Sequence, residues 1–219
     1  MLMIHESKLF GDETSKNVFL QLVDDHDMAL MESEVEAVRS FIGSSGWCIR
    51  AIPVSDWNLD LTPWEADPVF GKQRFGKDAP QTLQMLLESL KDDEHRYFLC
   101  GYSLAGLFAL WAGYQSDAFS GIVAASPSVW YPDWISYSEK HSIQTPFVYL
   151  SLGDKEEKAR NPIMASVGSA IRRQHEILVS SGVETVLEWN PGNHFVNSDQ
   201  RTAKGIAWML EKINGGNGR

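Results

Sequence analysis

The stretch Arg96-Tyr97-Phe98-Leu99-Cys100-Gly101-Tyr102-Ser103-Leu104-Ala105-Gly106-Leu107-Phe108-Ala109-Leu110-Trp111 decides how the chain reads. It opens as a short apolar run of strand length and closes as an apolar run of helical character, with a serine among small residues between them. A strand that turns sharply into a helix tolerates only small side chains two residues before the serine and two or three after it. Here these are Gly101, Ala105 and Gly106. The pattern predicts Ser103 exposed above a strand end, its hydroxyl at the start of a helix. There the helix dipole and the free N–H of Leu104 favour an oxyanion. A second Gly/Ser stretch, Gly43-Ser44-Ser45-Gly46, has Trp47 two places after Ser45 and no helical run behind it, so it reads as a plain turn.

Working outward, apolar runs of strand length alternate with segments of helical periodicity. Asn17 to Val23 reads as a strand, followed by the polar turn Asp24-Asp25-His26-Asp27, a solvated loop rather than a cation site. Met31, Val35, Val38 and Phe41 or Ile42 recur at helical spacing, and Gly43 to Gly46 end that helix. Trp47 to Val54 is a second strand, leading into the polar and aromatic loop Ser55 to Trp64. Phe70 to Lys77 reads as irregular. Asp78 is placed to cap the next helix, with Pro80 in its first turn and Leu83, Leu86, Leu87 and Leu90 as its stripe. The run Lys91 to His95 is a solvated charged turn.

Beyond the serine segment, Gly121 to Ala125 is a strand that runs into the aromatic loop Ser126 to Trp134. Phe147 to Leu152 is a strand left through Gly153-Asp154-Lys155-Glu156-Glu157. A helix over Pro162 to Ser180 crosses back to a strand at Val183 to Trp189, followed by Asn190-Pro191-Gly192-Asn193-His194-Phe195. A last helix carries Ala203, Ile206, Leu210 and Ile213 on one face, and Asn214 to Arg219 is a frayed tail. The alternation predicts an α/β fold with a mostly parallel sheet covered on both faces. Without a repeat or linker, residues 1–219 read as a single domain.

Composition narrows the function classes. The chain has 219 residues, 43% hydrophobic and 22% charged, which suits a globular core. Its net charge of −10 argues against nucleic acid or an anionic membrane as partner. Cys48 and Cys100 both fall in expected strands and read as buried free thiols rather than a disulfide or a metal site. The opening Met1-Leu2-Met3-Ile4-His5-Glu6-Ser7 lacks the basic start and apolar run of a signal peptide, and no apolar run reaches the roughly 18 residues of a membrane span. A cytoplasmic location is the expectation; the oligomeric state is left open.

A serine hydroxyl is a weak nucleophile at neutral pH and needs a general base within hydrogen-bond reach. The base in turn needs an acid to set its tautomer. On a strand-turn-helix of this kind the chain order is serine, acid, histidine. His194 lies in a turn just past the last expected strand and fits that order. His141 precedes its strand, and His175 falls inside a helix. For the acid, Asp154, Glu156 and Glu157 all follow the Phe147–Leu152 strand. A position three residues after the closing glycine puts Glu156 first, Asp154 second and Glu157 third. The long loop after the second strand offers backbone N–H groups at Asp56 or Trp57 as a second oxyanion donor. Trp57, Trp64, Tyr102, Trp130 and Tyr131 are candidate pocket walls, since aromatic surfaces with few polar groups suit small-molecule sites.

The chain resembles the esterase branch of the α/β-hydrolases, the group of enterochelin-type esterases, S-formylglutathione hydrolases, feruloyl esterases and mycolyltransferases. Gly101-Tyr102-Ser103-Leu104-Ala105-Gly106, Ser126-Pro127-Ser128-Val129-Trp130-Tyr131 and Gly192-Asn193-His194-Phe195 carry the resemblance, with Phe75-Gly76-Lys77-Asp78-Ala79 similar in its approach. It extends from about Val18 to Leu210. Ala105 stands where that family usually has glycine, and the glutamate-rich segment matches no single family pattern. The resemblance implies an α/β-hydrolase fold without a large lid, an open site and hydrolysis of a small carboxylic ester through an acyl-enzyme. Acyl transfer or thioester hydrolysis would use the same nucleophile, and a non-catalytic binding protein of this fold is the remaining alternative. No metal or organic cofactor is called for.

Overall fold

The structure, a computed structural model, describes residues 6–69, 71–90 and 94–215. Phe70, residues 91–93 of the charged turn and residues 216–219 of the tail lie outside the described residues, as do residues 1–5. One seven-stranded sheet organises the chain: β1 (Lys8–Gly11), β2 (Asn17–Val23), β3 (Cys48–Pro53), β4 (Arg96–Tyr102), β5 (Gly121–Ala125), β6 (Phe147–Gly153) and β7 (Glu184–Asn190). Their order is β1-β3-β2-β4-β5-β6-β7. β1 runs antiparallel to β3, and every other pairing is parallel. The edge strand β1 was not legible in the sequence: its four residues are largely exposed, so no buried alternation marks it.

Among the described residues eight α-helices accompany the sheet: α1 (Asp25–Ile42), α2 (Trp57–Asp60), α3 (Ala79–Glu88), α4 (Ser103–Gln115), α5 (Trp134–Lys140), α6 (Pro162–Ala165), α7 (Val167–Ser180) and α8 (Ser198–Gly215). The helix expected over 162–180 is two: α6 is capped by the Asn161 side chain and ends at Ser166, where α7 begins. Short α5, not expected from the sequence, starts at the last residue of the aromatic loop and is entered through Asp133 at a left-handed φ of 63°. Asp78 does precede α3, but its side chain makes no capping bond.

Both faces of the central strands are apolar, as a covered parallel sheet requires. Alternate residues divide between two cores. Phe19, Val23, Phe98 and Cys100 lie on the face packed by α1 and α8, while Leu20, Leu22 and Leu99 lie on the face packed by α3, α4 and α7. Cys48 and Cys100 are buried and unpaired. Gly205 lets α8 lie close, because a Cβ there would fall 2.4 Å from Val123 Cγ1. No helix among the described residues is long and apolar enough to cross a membrane.

Strand order reverses between β2 and β4: β3 is laid on one side of β2, and β4 on the other. A parallel sheet opens a crevice past the carboxyl ends of its strands at such a point. The turn that opens α1 and the elbow that opens α4 both sit there.

One polar pair interrupts the α1–α8 core. Gln21 Nε2 donates to Glu34 Oε2 at 3.0 Å, and Glu34 is 4% exposed. Burial pushes the Glu34 carboxyl up to about 8, against the Gln21 hydrogen bond that favours its charge. Between the ordinary value of 4.5 and about 8, the folded chain holds a proton that the unfolded chain has released. Stability from this group is therefore intact below the lower value and is lost as pH rises toward the upper one. Glu34→Gln should flatten that loss: its melting temperature should gain on the parent at pH 8.5 and show no gain at pH 5. Parallel pH profiles for the two proteins would contradict the assignment.

Candidate active site

β4 turns into α4 without a linking residue, and Ser103 is the first residue of the helix. It takes a left-handed φ of 57°. A non-glycine residue there costs about 1 kcal/mol and has to be held by its surroundings. The tightness of the turn explains the small neighbours. A Cβ on Gly101 would fall 2.3 Å from the carbonyl carbon of Ala105, and one on Gly106 would fall 3.0 Å from the Gly101 oxygen. The methyl group of Ala105 itself is accommodated. The Leu104 N–H lies in the first turn, where a helix offers it no acceptor.

The loop after β7 brings His194 across to this elbow. Its Nε2 lies 3.0 Å from Ser103 Oγ, and its Nδ1 lies 2.7 Å from Glu156 Oε2. With the carboxylate accepting at Nδ1, Nε2 keeps its lone pair for the serine hydroxyl. The imidazole is about one-fifth exposed and Glu156 nearly sealed, with side-chain exposures of 22% and 5%. Burial alone would raise the Glu156 carboxyl. The hydrogen bond and charge of His194, together with donation from Gly153 N and Ser126 Oγ, outweigh it and hold the carboxyl below its ordinary value.

The other two acids of that loop are engaged elsewhere. Asp154 Oδ1 accepts the Gly192 N–H at 2.8 Å, which ties down the turn before His194. Glu157 pairs with Arg172. His141 bonds the Tyr137 carbonyl through Nδ1, and His175 lies within α7; neither joins Ser103. The Asp56 N–H is not available as an oxyanion donor, because it donates to the Asp60 carboxylate at 3.1 Å. Trp57 heads α2, where its N–H has no acceptor within the helix.

Arg201, 1% exposed on α8, is the residue that sequence reasoning missed. Its Nη1 donates to Glu156 Oε1 at 2.8 Å, Ser126 Oγ at 2.9 Å and Tyr102 Oη at 3.0 Å. Nη2 donates to the Asn193 carbonyl at 2.9 Å. Tyr102 Oη in turn donates to the His194 carbonyl at 2.7 Å, and burial pushes that phenol up to about 12. One buried cation thus links the elbow, the acid and the histidine turn. Its sequence signal was present: Arg201 lies four residues before Gly205 and eight before Met209, on the buried face of α8.

Two hollows meet at His194. The larger, about 450 Å³, is walled by Trp130, Met164 and Phe195, with Lys155, Lys158 and Arg160 at its lip and Glu156 within. The smaller, about 150 Å³, lies at the strand-order reversal and contains Ser103, Tyr102 and Trp57, with Asp24, His26 and Asp27 opposite. Asp24 also caps α1 through Asp27 N. Burial, and then the charge of Asp24, push Asp27 up to about 7. Trp64 and Tyr131 line neither hollow. They pack on each other, with Trp64 Nε1 bonded to the Pro132 carbonyl and Tyr131 Oη to the Trp64 carbonyl, so they brace the loops behind the site.

Solved structures share this arrangement of strands and helices. The siderophore hydrolase EstA from Aspergillus nidulans is 22% identical with a TM-score of 0.69, covering 94% of this chain and 89% of that one. The enterobactin esterase FES from Shigella flexneri, solved with 2,3-dihydroxy-N-benzoyl-glycine, is 14% identical with a TM-score of 0.64, covering 94% of this chain and 55% of that one. Est1E from Butyrivibrio proteoclasticus is 14% identical with a TM-score of 0.61, covering 95% and 94%. No family model matches the chain, and no curated protein matches its sequence. The likeness establishes the α/β-hydrolase fold.

Arg201→Met should lower stability by about 3–5 kcal/mol in chemical denaturation, because it strands a buried carboxylate. Glu156→Gln made in the Arg201→Met background should recover part of that loss, since an amide leaves no charge unpaired. Simple additivity of the two changes would refute the coupling.

Proposed function

We propose that the chain is a serine hydrolase that cleaves a small carboxylic ester through an acyl-enzyme. The observation that carries this reading is the continuous hydrogen-bonded line from Ser103 Oγ to His194 Nε2 at 3.0 Å and from His194 Nδ1 to Glu156 Oε2 at 2.7 Å. Ser103 attacks the acyl carbon while His194 takes its proton. The imidazolium formed is stabilised by Glu156, which the Gly153 N–H, Ser126 and Arg201 keep ionised and oriented. His194 then passes the proton to the leaving alcohol oxygen, so the ester C–O bond breaks as the O–H bond forms. Water repeats the sequence on the acyl-enzyme, with Ser103 as the leaving group.

The negative oxygen of each tetrahedral intermediate is held by the N–H of Leu104, with that of Trp57 as the second donor. Preorganised donors of this kind account for a large part of such rate enhancements. Two of the structurally similar proteins bear names that describe siderophore hydrolysis or an esterase, which supports an ester as substrate class. Trp57, Tyr102 and Trp130 contribute walls of the two hollows and are the proposed substrate contacts.

Ser103→Ala should abolish labelling by a fluorophosphonate and reduce p-nitrophenyl acetate turnover by about four to six orders of magnitude with the fold intact. Glu156→Gln should cost about 10⁴-fold in kcat, the order expected when the orienting acid is lost, and Asp154→Asn far less. Turnover that survives in Ser103→Ala would exclude this mechanism.

A further inference from the structure

The two hollows at His194 differ in the charged groups at their lips, basic at the larger and acidic at the smaller. In an acidic chain, cations are expected to be taken up by carboxylates. Lys16, Arg39, Arg74, Lys77, Arg172, Arg173, Lys204 and Lys212 each hold one. The three cations at the larger hollow do not, and unlike Lys8, Lys72, Arg96 and Lys140, which also hold none among the described residues, they are gathered in one short segment. Lys155, Lys158 and Arg160 fall within seven residues after β6, are exposed, and make no ion pair among the described residues. Lys158 stands near enough to Glu157 to help depress its carboxyl, but that carboxylate is bonded to Arg172. Beside these charges lie apolar walls, including Phe195, which is 87% exposed and set edge-on to the His194 ring. Unpaired cations around an apolar hollow fit an anionic group carried on an apolar or aromatic body.

We propose that the larger hollow is a subsite for a carboxylate on the leaving-alcohol half of the ester. The proposal rests on the esterase reading and deepens it. Two observations fix which half is meant. His194 lines both hollows, but Glu156, which backs the imidazole, lines only the larger, whereas Ser103 and the oxyanion-side Trp57 line only the smaller. The proton on His194 Nε2 goes to the leaving oxygen, so the body attached to that oxygen lies on the imidazole side. The smaller hollow presents the Asp24 carboxylate, whose charge repels an anion and so discourages the reversed orientation. The charged lips thus set the direction in which the ester lies across Ser103.

The test uses three aryl acetates that release the same acetyl group: 3-acetoxybenzoate, its neutral methyl ester and the cationic 3-acetoxy-N,N,N-trimethylanilinium. Each kcat/KM is divided by the ester's rate with hydroxide to remove intrinsic reactivity. The wild-type chain should favour the anionic ester over the cationic one. The double variant Lys158→Ala, Arg160→Ala should lower that ratio by about tenfold, the order expected for two solvent-exposed charges near contact distance. Raising the salt concentration should lower the wild-type ratio in the same direction. A wild-type ratio at or below one, or a ratio unmoved by the double variant, overturns the subsite. Phenyl hydrogen succinate against phenyl butyrate places the charge on the acyl half; a larger anionic preference there overturns the orientation. If none of the esters is turned over, the esterase reading itself fails, a result distinct from turnover without charge preference.

Discussion

The close approach between the end of β4 and the start of α4 governs everything built above it. With Gly101 lying against the backbone of Ala105, the strand can run directly into a helix, and Ser103 is forced to a left-handed φ. That conformation lifts the hydroxyl off the sheet and turns it toward the crevice where strand order reverses. Flanking packing offsets the local strain: Leu104 and Ala105 are buried in the core, and the Ser103 carbonyl accepts the Ser128 N–H at 3.0 Å. A rigid scaffold therefore holds an unfavourable residue conformation at a chemically useful place.

Around that elbow, a buried charge joins segments that are distant along the chain. The Arg201 guanidinium presents several donors in a fixed plane, and its partners come from four separate segments: the end of β4, the loop after β5, the loop after β6 and the turn after β7. Burying an arginine and a glutamate together gives little net stability by itself. What it supplies is registration. Glu156 Oε1 is occupied by Arg201, Ser126 and Gly153, so Oε2 remains for His194. The route by which α8 reaches this point runs through Gly205, whose missing side chain lets the helix lie against β5 and β6.

The electrostatic character of the crevice follows from the same topology. The acidic lip is the N-terminal turn of α1, where Asp24 serves as helix cap. The basic lip is the loop that follows β6 and carries Glu156 at its centre. The two lips are distant along the chain but face each other across His194, so a chain of net charge −10 presents a local positive surface beside its imidazole.

What the sequence determined by itself was whatever leaves a local trace. Six of the seven strands and the long helices follow from apolar runs and periodicity, because burial on one or both faces imposes a period on the residues themselves. The elbow at Ser103 was legible because sterics demand small neighbours at set positions. The order serine, acid, histidine narrowed the partners to His194 and a short group of carboxylates. The tertiary structure decided what depends on distance between remote segments. It chose Glu156 from three neighbouring acids by aiming it at His194, while Asp154 and Glu157 turned to Gly192 and Arg172. It removed the Asp56 N–H as a donor, set Trp64 and Tyr131 to bracing, and drew Arg201 into the centre of the site. Apart from the place of Arg201 on the buried face of α8, these choices have no sequence signature, because a hydrogen bond constrains where two side chains meet in space and leaves their separation along the chain free.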